Sequence, residues 1–121
     1  MENMKRRTIW MGFAVMLLLV LGSATGASAA ETKVIKMTAE KYHFTPDTIN
    51  VNLGDKVVLE ITATDTEHGF GLSAFNIDQK LPQGQTVKIE FVADKKGEFT
   101  FKCTSFCGWG HFGMDGKLIV S

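Results

Sequence analysis

Two thiols, one imidazole and one thioether fall within the twelve residues Cys103-Thr104-Ser105-Phe106-Cys107-Gly108-Trp109-Gly110-His111-Phe112-Gly113-Met114. All four side chains are soft or borderline metal donors, and no carboxylate occurs in the stretch before Asp115. Zinc sites draw on Cys, His and carboxylate, and a thioether is a poor zinc ligand, so a set of Cys, His and Met points to copper. A copper that shuttles electrons must be bound tightly in both oxidation states. Thiolate satisfies both, while imidazole and a weak axial donor tune the potential.

A final ligand has to come from another loop at the same end of the fold. His68, just before Gly69-Phe70-Gly71, is the choice for the second imidazole. His43, in Lys41-Tyr42-His43-Phe44, is read as structural or solvated and is left outside the site. Gly108, Gly110 and Gly113 let the ligand loop bend tightly. Phe106, Trp109 and Phe112 lie among the ligands and Phe70 follows His68. Such rings either shield the metal and expose an apolar rim for a redox partner, or simply fill the loop. Trp109 is the first choice for the surface.

The elements that must position these residues read as strands. Short stretches rich in Val, Ile, Thr and Phe alternate with turn residues, as in a sandwich of antiparallel strands, and no long helical period appears. Val34 to Thr38 opens the domain, and Thr48 to Asn52 with Lys56 to Thr62 reads as a hairpin around Leu53-Gly54-Asp55. Val87, Ile89 and Phe91 alternate with Lys88 and Glu90, the clearest half-buried strand. Phe99 and Phe101 alternate in the same way, which puts Cys103 at a strand's end, and Lys117 to Val120 closes the chain. Between Ile61 and Thr86 connections are expected to dominate, with a short helix near Phe75 to Gln79. Met37 is expected to pack.

The first residues differ from the rest. Lys5, Arg6 and Arg7 precede an apolar run from Ile9 to Leu21, followed by small residues that include Ala27-Ser28-Ala29. This is the layout of a secretory signal, so residues 1–29 are read as a signal peptide and 30–121 as one domain. The rival reading is a retained anchor, which the dense apolar run is short to supply, because a spanning helix needs roughly 20 residues. Without the leader the chain keeps ten Lys and no Arg against twelve acids, a mildly acidic domain. That excludes nucleic acid as a partner.

The pattern of Cys103, Cys107, His111 and Met114 with an upstream His68 resembles the dinuclear copper-A domain of cytochrome oxidase subunit II and nitrous oxide reductase. The resemblance implies an all-β fold, a cupredoxin-like Greek-key sandwich. It implies two copper ions bridged by the Cys103 and Cys107 thiolates, with His68 and Met114 on one copper and His111 and the Ser105 carbonyl on the other. A glutamate usually fills the Ser105 position in the oxidase subunits; since only the main-chain oxygen binds, the departure bears on partners more than on metal. In that family the two coppers share one unpaired electron, which keeps the reorganisation barrier low.

The implied function is an exported, periplasmic electron relay between a cytochrome c-like donor and a terminal oxidase or reductase, with no catalysis of its own. Four alternatives stand beside it. The cysteines alone would suggest a disulfide. Cys107, His111, Met114 and His68 alone would serve a mononuclear blue-copper site, in which Cys103 has no task. A copper-delivery or storage protein could use the same fold, and a retained leader would make the chain a minimal, membrane-anchored subunit II.

Overall fold

Val57, Leu59 and Ile61 point to one side of their strand, and Lys56, Glu60 and Thr62 to the other, so the strand must bury one face and show the second to water. In the computed structural model, which describes residues 30–121, that strand is β4 (Lys56–Ala63). It lies between β1 (Thr32–Glu40) and β7 (Thr86–Val92), and β2 (His43–Thr45) completes the sheet in the order β2-β1-β4-β7. A second sheet faces it. Its strands are β3 (Thr48–Val51), β5 (His68–Leu72), β6 (Ile77–Leu81), β8 (Gly97–Lys102) and β9 (Asp115–Val120), in the order β3-β9-β8-β5-β6. The leader, its cleavage point and the anchor alternative lie outside the described residues. No helix among the described residues is long and apolar enough to cross a membrane.

The inward faces meet in one core that includes Met37, Phe44, Leu59, Ile61, Phe70, Leu72, Leu81, Phe101 and Leu118. Phe44, Phe70 and Phe101 form its aromatic centre, with ring centroids 5.1 to 5.8 Å apart and both Phe44 contacts edge-on. Side chains two residues apart on a strand share a face. Phe70 therefore stands beside His68 on β5, and Phe101 one step before Cys103, so the core runs directly into the predicted site. Phe101 also explains a glycine: Gly116 sits opposite it in the β8–β9 ladder, and a Cβ there would strike the Phe101 ring and the Asp47 carbonyl.

The two-sheet cupredoxin-like sandwich expected from the sequence is present, but three local expectations are corrected. The chain does not make a hairpin around Leu53-Gly54-Asp55; it crosses from one sheet to the other there. β3 pairs with β9 and β4 with β1, both in parallel, so the sandwich is not purely antiparallel. Turn chemistry is the same for a hairpin and a crossing, and Gly54 does take positive φ, 89°. What differs is the hydrogen bonding: Leu53 N–H reaches the Ser121 carbonyl and Gly54 N–H the Ala93 carbonyl, tying the turn to both sheets.

The expected helix near Phe75 to Gln79 is replaced by a 3-10 turn, Ser73–Phe75, followed by β6. Asn76 takes φ 56°, which ends the turn. Ile77 and Leu81, four apart, suit either period, which is why short apolar spacings mislead. The region from Ile61 to Thr86 is accordingly not mostly connections: it contains the end of β4, all of β5 and all of β6.

Asp55 holds the crossing together. Its buried carboxylate accepts the N–H of Glu31 at 3.0 Å and of Asn52 at 2.8 Å. These two bonds hold its pKa below the ordinary carboxylate range. A depressed folded pKa adds stability that is present above the unfolded value, about 4, and is lost as pH falls through the lower folded value. Asp55→Asn keeps one acceptor but sets an NH2 group against the second N–H. The variant should be less stable at neutral pH and lose less stability on acidification. Urea midpoints measured from pH 7 to pH 3 test this; parallel curves for the two proteins would refute the role of the charge.

Candidate metal centre

The ligand loop is an enlarged connection between β8 and β9. The ladder runs to Lys102 opposite Asp115, and one further bond, Cys103 N–H to the Met114 carbonyl at 3.0 Å, closes the loop's base. Cys103 and Met114 thus start and end the loop side by side. A 3-10 turn at His111–Gly113 folds its second half back, with His111 N–H donating to the Gly108 carbonyl and Met114 N–H to that of His111. Gly108 has φ 136°, a conformation that L residues avoid.

β5 brings the distant histidine. Its pairing with β8 at Gly71 and Lys102 puts His68, the first residue of β5, against the start of the loop. Two glycines permit this approach: a Cβ at Gly69 would meet the Thr104 hydroxyl and the Ser105 nitrogen, and one at Gly71 the Thr104 methyl. Thr104 in turn donates its hydroxyl to Asp78 of β6 at 2.7 Å, and Ser105 donates to Glu67 at 3.1 Å. The segment after Cys103 is thereby fastened to both neighbours.

The donors converge. Single ligand atoms of His68, Cys103 and Cys107 all lie within 4.8 Å of one another. The two sulfurs are 3.8 Å apart, far beyond a disulfide bond of about 2.05 Å, and both cysteines are free thiols. Nδ1 of His68 lies 3.9 Å from the Cys103 sulfur and Nδ1 of His111 3.8 Å from that of Cys107. The Met114 sulfur is 3.9 Å from Cys107, and Cys103 S–H points to the Ser105 carbonyl at 3.1 Å. Of the six residues singled out in the sequence, two are this pair of thiols, and the other four, His68, Ser105, His111 and Met114, each set a donor atom within 3.9 Å of one of them. His43 stands elsewhere, exposed and 4.0 Å from Glu40.

Burial is uneven across the set. His68, Cys103, Cys107 and Met114 are buried, whereas His111 is half-buried and is flanked by exposed rings: Phe106 at 63%, Phe112 at 83% and Trp109 at 89% exposure. Phe106 and Phe112 both lie against the His111 ring, at centroid distances of 5.6 and 5.2 Å. Phe70, by contrast, is a core residue, so the rim is made by the loop alone.

Desolvation pushes the Cys107 thiol up to about 11, and the adjacent Cys103 and the charge of Asp65 act in the same direction. Without a cation the Cys107 thiol therefore holds its proton at neutral pH. A cation that binds its sulfur must displace that proton, which makes the cation's affinity rise with pH. The chemistry fits a thiophilic cation: the sulfurs are spaced so that bonds of about 2.3 Å from each can reach a common ion. Imidazole and thioether donors complete the set.

Two residues at the site carried no signal in the sequence. Asp65 is the first: Oδ1 lies 2.7 Å from Nε2 of His68, and Oδ2 accepts the N–H of Lys41, also at 2.7 Å. Partial burial works to raise its pKa, but these hydrogen bonds outweigh it and hold the carboxyl below the usual range. Tyr42 is the second. Its ring lies on the loop where Cβ atoms at Gly108 and Gly110 would be, so those glycines provide contact as much as flexibility. An acid in a polar turn and a tyrosine in an early segment have no local pattern that marks them.

The two facing sheets, with soft donors gathered where β5, β8 and β9 come together, define a small β-sandwich metalloprotein with its site at one end of the fold. The chain belongs to the cupredoxin-like domain family, which it matches over residues 13–120. It is 29% identical over 86 residues to cytochrome c oxidase subunit 2 of Thermus thermophilus, covering 71% of this chain and 64% of that protein. With nitrous-oxide reductase of Cupriavidus necator it shares 32% identity over 90 residues, covering 71% of this chain but 14% of that protein. The chain thus spans less than two thirds of either relative's length. The periplasmic domain of cytochrome oxidase subunit II from Bradyrhizobium japonicum has the same fold, with a TM-score of 0.67 at 21% identity over 73% of this chain and 83% of that one. The resemblance carried by the loop therefore extends over the domain.

The Tyr42 contact yields a stability test. Gly110→Ala would force the tyrosine ring away and should cost about 1–3 kcal/mol, the usual range for overfilling a close-packed contact. In a Tyr42→Ala background the same change should cost much less, because the obstructing ring is gone. Denaturant unfolding of the four proteins in the cycle measures the coupling, and equal costs in both backgrounds would show that the ring does not hold the loop.

Proposed function

We propose that this domain is an electron relay carrying a dinuclear copper centre of the copper-A type. Cys103 and Cys107 would supply the thiolates shared by the two ions, His68 and Met114 would serve one, and His111 with the Ser105 carbonyl would serve the other. When loaded, such a centre takes up and returns a single electron. The protein's own contribution is to hold the donors nearly still through that change. The observation that carries the reading is the second thiol: Cys103 is buried 3.8 Å from Cys107, among the other donors, where a one-copper site has no use for it.

The relay passes electrons from a cytochrome c-like donor to a terminal oxidase or reductase and performs no catalysis itself. The likeness to oxidase subunit 2 and nitrous-oxide reductase supports the acceptor class. The exposed rings of Phe106, Trp109 and Phe112 around half-buried His111 support a docking face on the ligand loop. Residues 1–29 direct export and are removed after Ala29, leaving 30–121 as the periplasmic domain.

Copper titration of the reduced chain tests the reading. Two copper ions per chain, with one unpaired electron spread over both in paramagnetic resonance, are expected. Cys103→Ser and Cys107→Ser should each abolish that signal. One labile Cu(I) per chain would instead indicate copper delivery, and a two-copper spectrum that survives either substitution would refute the bridge.

A further inference from the structure

His68 is fully buried, and its two ring nitrogens face different groups: Nδ1 the Cys103 sulfur at 3.9 Å, Nε2 the Asp65 carboxylate at 2.7 Å. We propose that Asp65 is a positioning residue of the metal centre, fixing the His68 tautomer that leaves Nδ1 bare toward the thiols and tying that ring to the Lys41-Tyr42 turn. The inference rests on the copper reading above and adds to it a residue that touches no metal.

A neutral imidazole has one N–H and one bare nitrogen, and an ionised carboxylate can only accept. At 2.7 Å from Asp65, Nε2 must carry the proton, because a bare Nε2 would set two lone pairs against each other. In the neutral ring Nδ1 is then bare, and its lone pair lies in the direction a cation needs. With the ring buried, water cannot take over the task. The carboxylate is itself held, since its second oxygen accepts the Lys41 N–H at 2.7 Å.

Lys41 is joined to Tyr42, whose ring lies on Gly108 and Gly110. One dipeptide between β1 and β2 therefore braces both arms of the site: the His68 arm through Asp65, and the segment from Cys107 to His111 through the tyrosine. Partners of this kind typically change metal affinity by about ten- to a hundredfold when removed.

Asp65→Asn separates the functions. An amide offers one acceptor and one donor, so it can satisfy Lys41 or His68 but not both. If its oxygen takes the Lys41 N–H, its NH2 faces Nε2 and favours the opposite tautomer. Nitrogen-15 NMR of the reduced, metal-free chain reads the tautomer directly. Wild-type His68 should show Nε2–H. Asp65→Asn and Asp65→Ala should populate Nδ1–H, bind copper about ten- to a hundredfold more weakly with the stoichiometry preserved, and shift the copper hyperfine pattern. Asp65→Glu should restore part of the affinity.

A wild-type Nδ1–H tautomer overturns the proposal, as do variants whose tautomer, copper affinity and spectrum all match wild type. If Asp65→Ala does not fold, the wild-type tautomer and Asp65→Asn still decide the matter. A wild-type chain that takes up no copper refutes the relay reading instead, while the metal-free NMR measurement still settles whether Asp65 orients the ring.

Discussion

The N–H of Cys103 donates to the carbonyl of Met114, and the donor cluster depends on where that last rung of the β8–β9 ladder falls. A strand that slips by one residue turns every side chain to the opposite face. Such a slip would send Phe101 out of the core and Cys103 into solvent together. The register is therefore held by the burial of Phe101 and Leu118, and by Gly116, the residue that leaves room for the Phe101 ring. Core burial thus fixes the direction of a thiol two residues further on.

The same coupling repeats on β5, where Phe70 packs against the rings of both Phe44 and Phe101 and His68 stands two residues before it on the same face. The site is an outgrowth of a rigid aromatic core and inherits its rigidity. Glycines at 69 and 71 then let the chain after Cys103 lie close over β5, and the Thr104–Asp78 and Ser105–Glu67 bonds fasten it there. The proposed electron relay would gain from such a frame, because donors that cannot relax keep the cost of each transfer low.

How much of this was legible in the sequence follows from the range of the interactions. Cys103, Cys107, His111 and Met114 could be read together because they share one loop, and β7 because Val87, Ile89 and Phe91 alternate cleanly with charge. β5 was hidden for the opposite reason: all five of its residues are buried, so His68-Gly69-Phe70-Gly71-Leu72 shows no alternation. The Asn52–Asp55 turn looked like a hairpin since its local chemistry suits one, and the parallel partners that make it a crossing, β1 and β9, lie far off in the chain. Asp65 and Tyr42 escaped because their roles exist only after β1, β5 and the ligand loop have met.

Among the described residues, the three most exposed large hydrophobic side chains are Phe106, Phe112 and Trp109, all on the ligand loop. Exposed rings are unfavourable for an isolated domain, and no demand of the sandwich requires them, since its core is complete with Phe44, Phe70 and Phe101. They sit around His111, which is half-buried, while His68 is sealed and braced by Asp65. The two imidazoles are therefore unequal. His68 faces inward and is fixed by a charge, whereas His111 faces the apolar rim through direct contact with Phe106 and Phe112. In the proposed relay the short route between the thiols and a docked partner would lead through the His111 edge. Asymmetric burial of two chemically identical side chains gives the donor cluster an inner, anchored side and an outer side open to exchange.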